Sequence, residues 1–129
     1  MPATPPDQPH GELVIRTIAM PANTNSNGDV FGGWLLAQMD LGGAVLARNT
    51  ARSRITTVAI EAMSFLCPVY VGDIVSCHAA LVKTGRTSMR IEIEAWAQRH
   101  KGGEHVRVTK GTFTYVAIDD QGRPHPVHR

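Results

Sequence analysis

The feature that most constrains this chain is an apolar run at residues 33–47, GWLLAQMDLGGAVLA. It is entered through a polar loop, NTNSNGDVFG, that carries Asn23, Asn25, Asn27, Gly28 and Asp29. The run is long enough for a helix and short of the about 20 apolar residues that a membrane span needs. Its only polar side chains are Gln38 and Asp40. Apolar residues occupy every face of the run, which predicts a helix enclosed by the rest of the fold. Gly42 and Gly43 each cost roughly 1 kcal/mol relative to alanine inside a helix. Another backbone, or a second copy of the helix, is therefore expected to approach closely there.

Asp40 needs a partner, because a carboxylate out of water is disfavoured unless donors or cations surround it. Its helical neighbours Leu36, Ala37, Gly43 and Ala44 offer neither. Two readings follow. In one, hydroxyls of a neighbouring strand, such as Thr56 or Thr57, satisfy the carboxylate and it has no chemical duty. In the other, the free N–H groups at the helix start, near Gly32 and Gly33, bind a polarised carbonyl oxygen. Asp40, two turns on and on the face of Gly33 and Leu36, then comes within reach of that carbonyl from this chain or a partner's.

At 129 residues the chain is one domain by length. A net charge of +2 and 5% aromatic residues argue against nucleic acid as a partner. Cys67 and Cys77 are too few for a disulfide framework and form no CxxC pair, which suits a reducing cytosol. Residues 1–9 have neither an apolar core nor an N-terminal charge, so no signal peptide is expected there and residues 1–10 read as a disordered lead. The six histidines (His10, His78, His100, His105, His125 and His128) show no ligand spacing, so no metal is expected.

Around the helix the chain is β-rich. Residues 12–20 form a strand stopped by Pro21, residues 54–66 a second closed by Pro68, and residues 73–84 a third. The next run alternates most cleanly. Met89, Ile91, Ile93, Ala95 and Ala97 share one face, and Arg90, Glu92, Glu94, Trp96 and Gln98 share the other, turned to solvent or a subunit. Residues 105–118 supply the fifth strand with Phe113, Tyr115 and Ala117 inward. Turns at 84–86 and 101–103 read as hairpins. Residues 120–129 read as a loose tail after a domain spanning residues 11–119. One antiparallel sheet wrapping one helix satisfies these apolar faces.

The order β-α-β-β-β-β, with NSNGDVFGGWLLAQMDLGG at the helix and PVYVGD and GRTS further on, resembles the hotdog-fold acyl-CoA thioesterases, specifically the YciA-like group. That resemblance implies an α+β hotdog fold, a five-stranded antiparallel sheet around one long central helix. It implies a cytoplasmic enzyme whose active sites lie at a homodimer interface within a hexamer built as a trimer of dimers. Coenzyme A is part of the substrate and a product, with no cofactor, no membrane and no nucleic acid. Asp40 matches the catalytic carboxylate, and Asn25 matches an asparagine of larger relatives. Gly32 and Gly33 would polarise the thioester carbonyl. Lys83, Gly85, Arg86, Thr87 and Ser88 would meet the coenzyme's phosphates, against the plainer reading of a solvated turn. Cys67 stands where many relatives have a basic residue. Two other functions share this scaffold: hydration or dehydration of an acyl thioester, which typically uses an Asp and His pair, and acyl-CoA sensing without turnover.

Overall fold

The computed structural model describes residues 8–99 and 103–127. Lys101 and Gly102, and so most of the expected second hairpin, lie outside the described residues, as do residues 1–7 of the lead and 128–129 of the tail. The elements run β1 (Glu12–Ile18), a short 3-10 turn (Pro21–Asn23), α1 (Gly32–Ala51), β2 (Arg54–Phe65), β3 (Ile74–Thr84), β4 (Ser88–Gln98) and β5 (His105–Ile118). The five strands form one antiparallel sheet in the order β1-β3-β4-β5-β2. The helix lies across its inner face.

The period-2 alternation of β4 and β5 determines which side chains meet the helix. Met89, Ile91, Ile93, Ala95, Phe113, Tyr115 and Ala117 are fully buried, with Val75, Cys77 and Ala79 of β3 beside them. The helix contributes Leu35, Met39, Gly42, Gly43, Ala47 and Ala51 to this core. Its two interior glycines are explained by the sheet, not by a second helix. A methyl group at Gly43 would collide with the Tyr115 hydroxyl and Ile93 Cδ1, and one at Gly42 would come within 2.7 Å of Val14 Cγ2.

The expectation of an enclosed helix is overturned for the single chain. Leu41 and Val45 are exposed on α1, and Val58 and Ile60 are exposed on β2, the edge strand next to β5. The apolar residues that occupy the remaining helix face are uncovered because no strand lies beyond β2. That edge is also irregular: β2 shifts register between Glu61 and Ser64, and Ala62 adopts a left-handed φ of 55°.

The outer sheet face, expected to meet solvent or a subunit, is partly covered within the chain itself. Glu94 and Trp96 point outward yet are buried. The Trp96 indole donates to Glu94 Oε1 at 2.9 Å, and the His10 N–H donates to the same oxygen at 3.1 Å. The His105 ring lies over Trp96 with centroids 4.9 Å apart. The expected loose tail is pinned as far as Val127, whose N–H donates to the Arg86 carbonyl, while His125 N–H donates to the Ala117 carbonyl. Val127 is buried, so an apolar anchor holds the segment down.

Candidate active site

Asp40 sits half-buried midway along α1, facing β2 and β5. Thr57 donates its hydroxyl to Asp40 Oδ1 at 2.8 Å. The Tyr115 hydroxyl lies 3.0 Å from the same Oδ1 and 3.1 Å from the Asp40 carbonyl oxygen. Both donors address one carboxylate oxygen, and Oδ2 has no hydrogen-bond partner among the described residues. The carboxylate is thus oriented by one oxygen while the other remains available. Burial, followed by the Asp40 charge and the hydrogen bond to it, pushes the Tyr115 phenol far above its ordinary range, so it stays a neutral donor.

The helix start is open. Phe31 precedes it without a side-chain cap, and the N–H groups of Gly32, Gly33 and Trp34 have no partner among the described residues. Gly33 faces free space, whereas Gly32 lies beneath the Phe65 ring, whose Cε1 would be 3.5 Å from an added methyl group. A cavity of about 320 Å³ opens here. Asn25, Asp29 and Gly32 line one side, and Leu35, Phe65, Leu66, Cys67 and Val69 give it an apolar wall. The wall is braced from behind: Arg99 donates to Asp73 Oδ2 at 2.6 Å and to the Pro68 carbonyl at 3.0 Å.

Asn25 shapes the loop that delivers the chain to this opening. Its Oδ1 accepts the N–H groups of Asn27 at 2.9 Å and Asp29 at 3.2 Å. Its Nδ2 hydrogens make no hydrogen bond among the described residues, so they are available at the cavity. Asp40 is not part of this cavity. Eight residues separate it from Gly32, about 12 Å along the helix axis. One chain therefore does not bring the carboxylate and the open N–H groups onto one small group.

The hairpin of Lys83, Gly85, Arg86, Thr87 and Ser88 stands at the other end of the sheet. Thr84 pairs with Met89, Met89 with Tyr115, and Tyr115 with Thr57, while the cavity begins at Phe65, eight residues further along β2. That separation is about 25 Å of strand. The hairpin is near the helix C-terminus, away from this chain's own Asn25 and Gly32.

Sequence reading named Asp40, Thr56 or Thr57 as its hydroxyl partner, and the helix start, but missed two groups. Tyr115 was expected only as an inward core residue, although a buried phenol on that face must find an acceptor, which is a usable signal. Phe65, Leu66 and Val69 gave no local sign of forming a wall. They converge through the register of β2 against β5 and through the loop that follows.

The arrangement defines a class: a hotdog domain whose central helix carries one oriented carboxylate and an uncapped N-terminus. The Thioesterase superfamily model matches residues 27–104. The acyl-CoA thioester hydrolase YciA of Salmonella typhimurium is 52% identical over 122 residues, covering 92% of each chain. The hexameric thioesterase of Yersinia pestis superposes with a TM-score of 0.91 at 50% identity, covering 95% of this chain and all of that one. A hexameric broad specificity acyl-coenzyme A thioesterase superposes at 0.90 with 46% identity, covering 95% of this chain and 84% of that one. The chain belongs to the thioesterase superfamily, in the group of the YciA acyl-CoA thioester hydrolases.

Proposed function

We propose that this chain hydrolyses acyl-CoA to a free acid and coenzyme A, with Asp40 as the group that does the chemistry. The observation that carries this reading is the Asp40 carboxylate itself, held through Oδ1 by Thr57 and Tyr115 with Oδ2 uncommitted. In one route Oδ2 takes a proton from water as the water oxygen attacks the thioester carbon. In the other Oδ2 attacks that carbon and forms a transient anhydride, which a water then cleaves to the free acid and the restored Asp40 carboxylate. Either route places negative charge on the carbonyl oxygen, where the N–H groups of Gly32 and Gly33 would stabilise it, and then expels the coenzyme A thiolate. Asn25 Nδ2 would help position the carbonyl or the water.

The 12 Å gap argues that each site is shared. A second copy packed antiparallel along β2, covering Leu41, Val45, Val58 and Ile60, would set its helix start beside this chain's Asp40. The dimer would be the catalytic unit, and three dimers the hexamer. In such a dimer Lys83, Gly85, Arg86, Thr87 and Ser88 would approach the partner's cavity, and we assign them to the coenzyme's phosphates. The hydroxyl partners of Asp40 favour hydrolysis over a hydratase, which would use a histidine. Among the described residues no helix is long and apolar enough to cross a membrane. The two free cysteines support a reducing, cytoplasmic setting, and the proposed reaction uses water and acyl-CoA without a cofactor.

Thiol release from short, medium and long acyl-CoA esters tests the proposal, comparing the wild type with Asp40→Asn. Hydrolysis by the wild type and a loss of at least about 100-fold in the variant are expected. Unchanged turnover in the variant would remove Asp40 from the mechanism, and binding without turnover in the wild type would favour a sensor.

A further inference from the structure

The loop that presents Asn25 and the helix start is held at both ends by a second segment, residues 66–73, which runs from β2 to β3. At one end Ala19 N–H donates to the Asp73 carbonyl at 3.0 Å, and Gly72 N–H donates back to the Ala19 carbonyl at 2.9 Å. At the other, Val30 N–H donates to the Val69 carbonyl at 3.1 Å, two residues ahead of the first helical position. The span between Ala19 and Val30, and so the shape of everything between them, is set by residues 69–73.

Burial does not fix that segment. Val69 is buried, but Tyr70 and Val71 are 48% and 42% exposed. A polar clasp fixes it instead. Asp73 N–H closes a turn on the Tyr70 carbonyl at 3.0 Å, with Gly72 at φ 92°, and Asp73 Oδ2 accepts the Tyr70 N–H at 2.9 Å. Arg99, the residue after β4, locks this turn from outside. Its Nη1 donates to the same Oδ2 at 2.6 Å and to the Pro68 carbonyl at 3.0 Å, and its guanidinium lies over the Tyr70 ring, 4.8 Å from the centroid. Asp73 is almost fully buried in the pair, and a buried carboxylate needs a cation whatever the surroundings do. Charge neutralisation accounts for the bond to Asp73. It does not account for the reach of the same nitrogen to Pro68, which ties the two ends of residues 68–73 together.

We propose that Arg99 is a positioning residue for the thioester carbonyl. By holding residues 68–73 it sets the span from Ala19 to Val30, and with it the spacing between Asn25 Nδ2 and the N–H groups of Gly32 and Gly33. Arg99 touches neither the substrate nor those groups. The assignment rests on the thioesterase reading, which makes a carbonyl oxygen the ligand of the helix start. Geometry there is worth much in rate, because a misplacement of about 1 Å caused far from the chemistry can cost about 100-fold.

Arg99→Ala alone would strand the Asp73 charge, so the test combines it with Asp73→Asn, whose amide oxygen still accepts the Tyr70 N–H. Wild type and double variant are compared on acetyl-CoA and on a long-chain acyl-CoA. The kcat is expected to fall roughly 10- to 100-fold, by the same factor for both esters and with KM held within about twofold, because the displaced donors act on charge that develops in the transition state. A double variant that keeps a folded circular dichroism spectrum and wild-type kcat would reduce the clasp to a stabilising device and overturn the proposal. A rise in KM alone, or a loss seen only with the long chain, would overturn it too, by making residues 66–69 a wall for the acyl group and nothing more. Arg99→Lys is expected to recover most of the kcat, since one ammonium can serve both oxygens that Nη1 now serves. No recovery would remove the assignment to those two bonds.

Amide hydrogen exchange gives a readout that does not depend on turnover. The N–H groups of Asn27, Asp29 and Val30 are expected to exchange at least about tenfold faster in the double variant, with Ile91 in β4 unchanged. If the wild type hydrolysed neither ester, the thioesterase reading would fall, while this local increase would still uphold the hold of Arg99 on the loop. Unchanged exchange at those three amides would refute that hold whatever the kinetics.

Discussion

At the scale of residues, the centre of the molecule is one carboxylate with an uneven hydrogen-bond pattern. Thr57 and Tyr115 both bind Asp40 Oδ1, so they orient the group and leave Oδ2, the oxygen proposed to react, without a partner among the described residues. Tyr115→Phe removes one of these donors and little volume. It is expected to lower kcat about fivefold with KM unchanged, consistent with a net hydrogen-bond contribution near 1 kcal/mol. Steady-state kinetics on a single acyl-CoA checks this, and a change confined to KM would mean that the phenol contacts substrate instead. Glu94 makes the complementary case on the outer face. Burial alone would push its carboxyl up, but the Trp96 indole, the His10 N–H and Arg107 outweigh burial and hold it below the usual carboxylate range. A carboxyl lowered in the folded state stabilises the fold above its unfolded pKa and loses that contribution as pH falls through the folded value. Glu94→Gln is therefore expected to cost about 1–2 kcal/mol at pH 7. The variant's stability should also change less than the wild type's between about pH 5 and pH 3 in urea titrations.

At the scale of elements, α1 and the sheet are matched by contact between two glycines and two large side chains. Gly43 lets the helix approach Tyr115 and Ile93 closely, and the same approach brings Asp40 within reach of the Tyr115 hydroxyl. Gly43→Ala should thus do two things at once. Overpacking costs about 1–3 kcal/mol, read as a Tm several degrees lower. Displacing the helix should lower kcat as well. Gly42→Ala, which meets only side chains of β1, is expected to cost stability with a smaller effect on turnover. Comparing the two variants by calorimetry and kinetics distinguishes a general packing defect from a specific loss of register at the carboxylate. Element boundaries were largely legible: the clean alternation of β4 is visible in its residues, and prolines mark the ends of β1 and β2. The last turn of the helix was not, because residues 48–51 are polar or small and take their helical state from continuity with the apolar run.

At the scale of the whole molecule, the exposed apolar residues of α1 and β2 and the split between carboxylate and helix start make the same demand. In the proposed shared-site dimer a partner covers the first and completes the second. Ile60→Lys places a charge in the middle of the β2 edge, where desolvating it on association is costly. Loss of the oligomer in light scattering is expected, together with loss of thioester hydrolysis, while circular dichroism keeps its folded signature. An active monomer would contradict the shared-site arrangement. The stability of the whole chain should also fall in mild acid. His78 is lowered mainly by burial, so the unfolded chain binds a proton before the folded one does, and stability declines below the ordinary histidine pKa of 6.5. The Glu94 contribution follows at lower pH.

What the sequence determined by itself was local and patterned. A fifteen-residue apolar run, strands with period two, turn residues between them and one acid in an apolar setting depend on neighbours within a few positions, and so can be read in one dimension. A hydroxyl of the next strand, Thr56 or Thr57, was foreseen beside Asp40 because a carboxylate out of water needs donors; strand register made it Thr57. Only the tertiary structure decided that Tyr115 is the second donor, that Phe65 closes over Gly32, that Trp96 is buried on an outward face and that Arg99 reaches Asp73. Each of these joins residues distant in sequence through strand register and helix placement. A shift of one residue would turn every side chain to the other face without altering the local pattern.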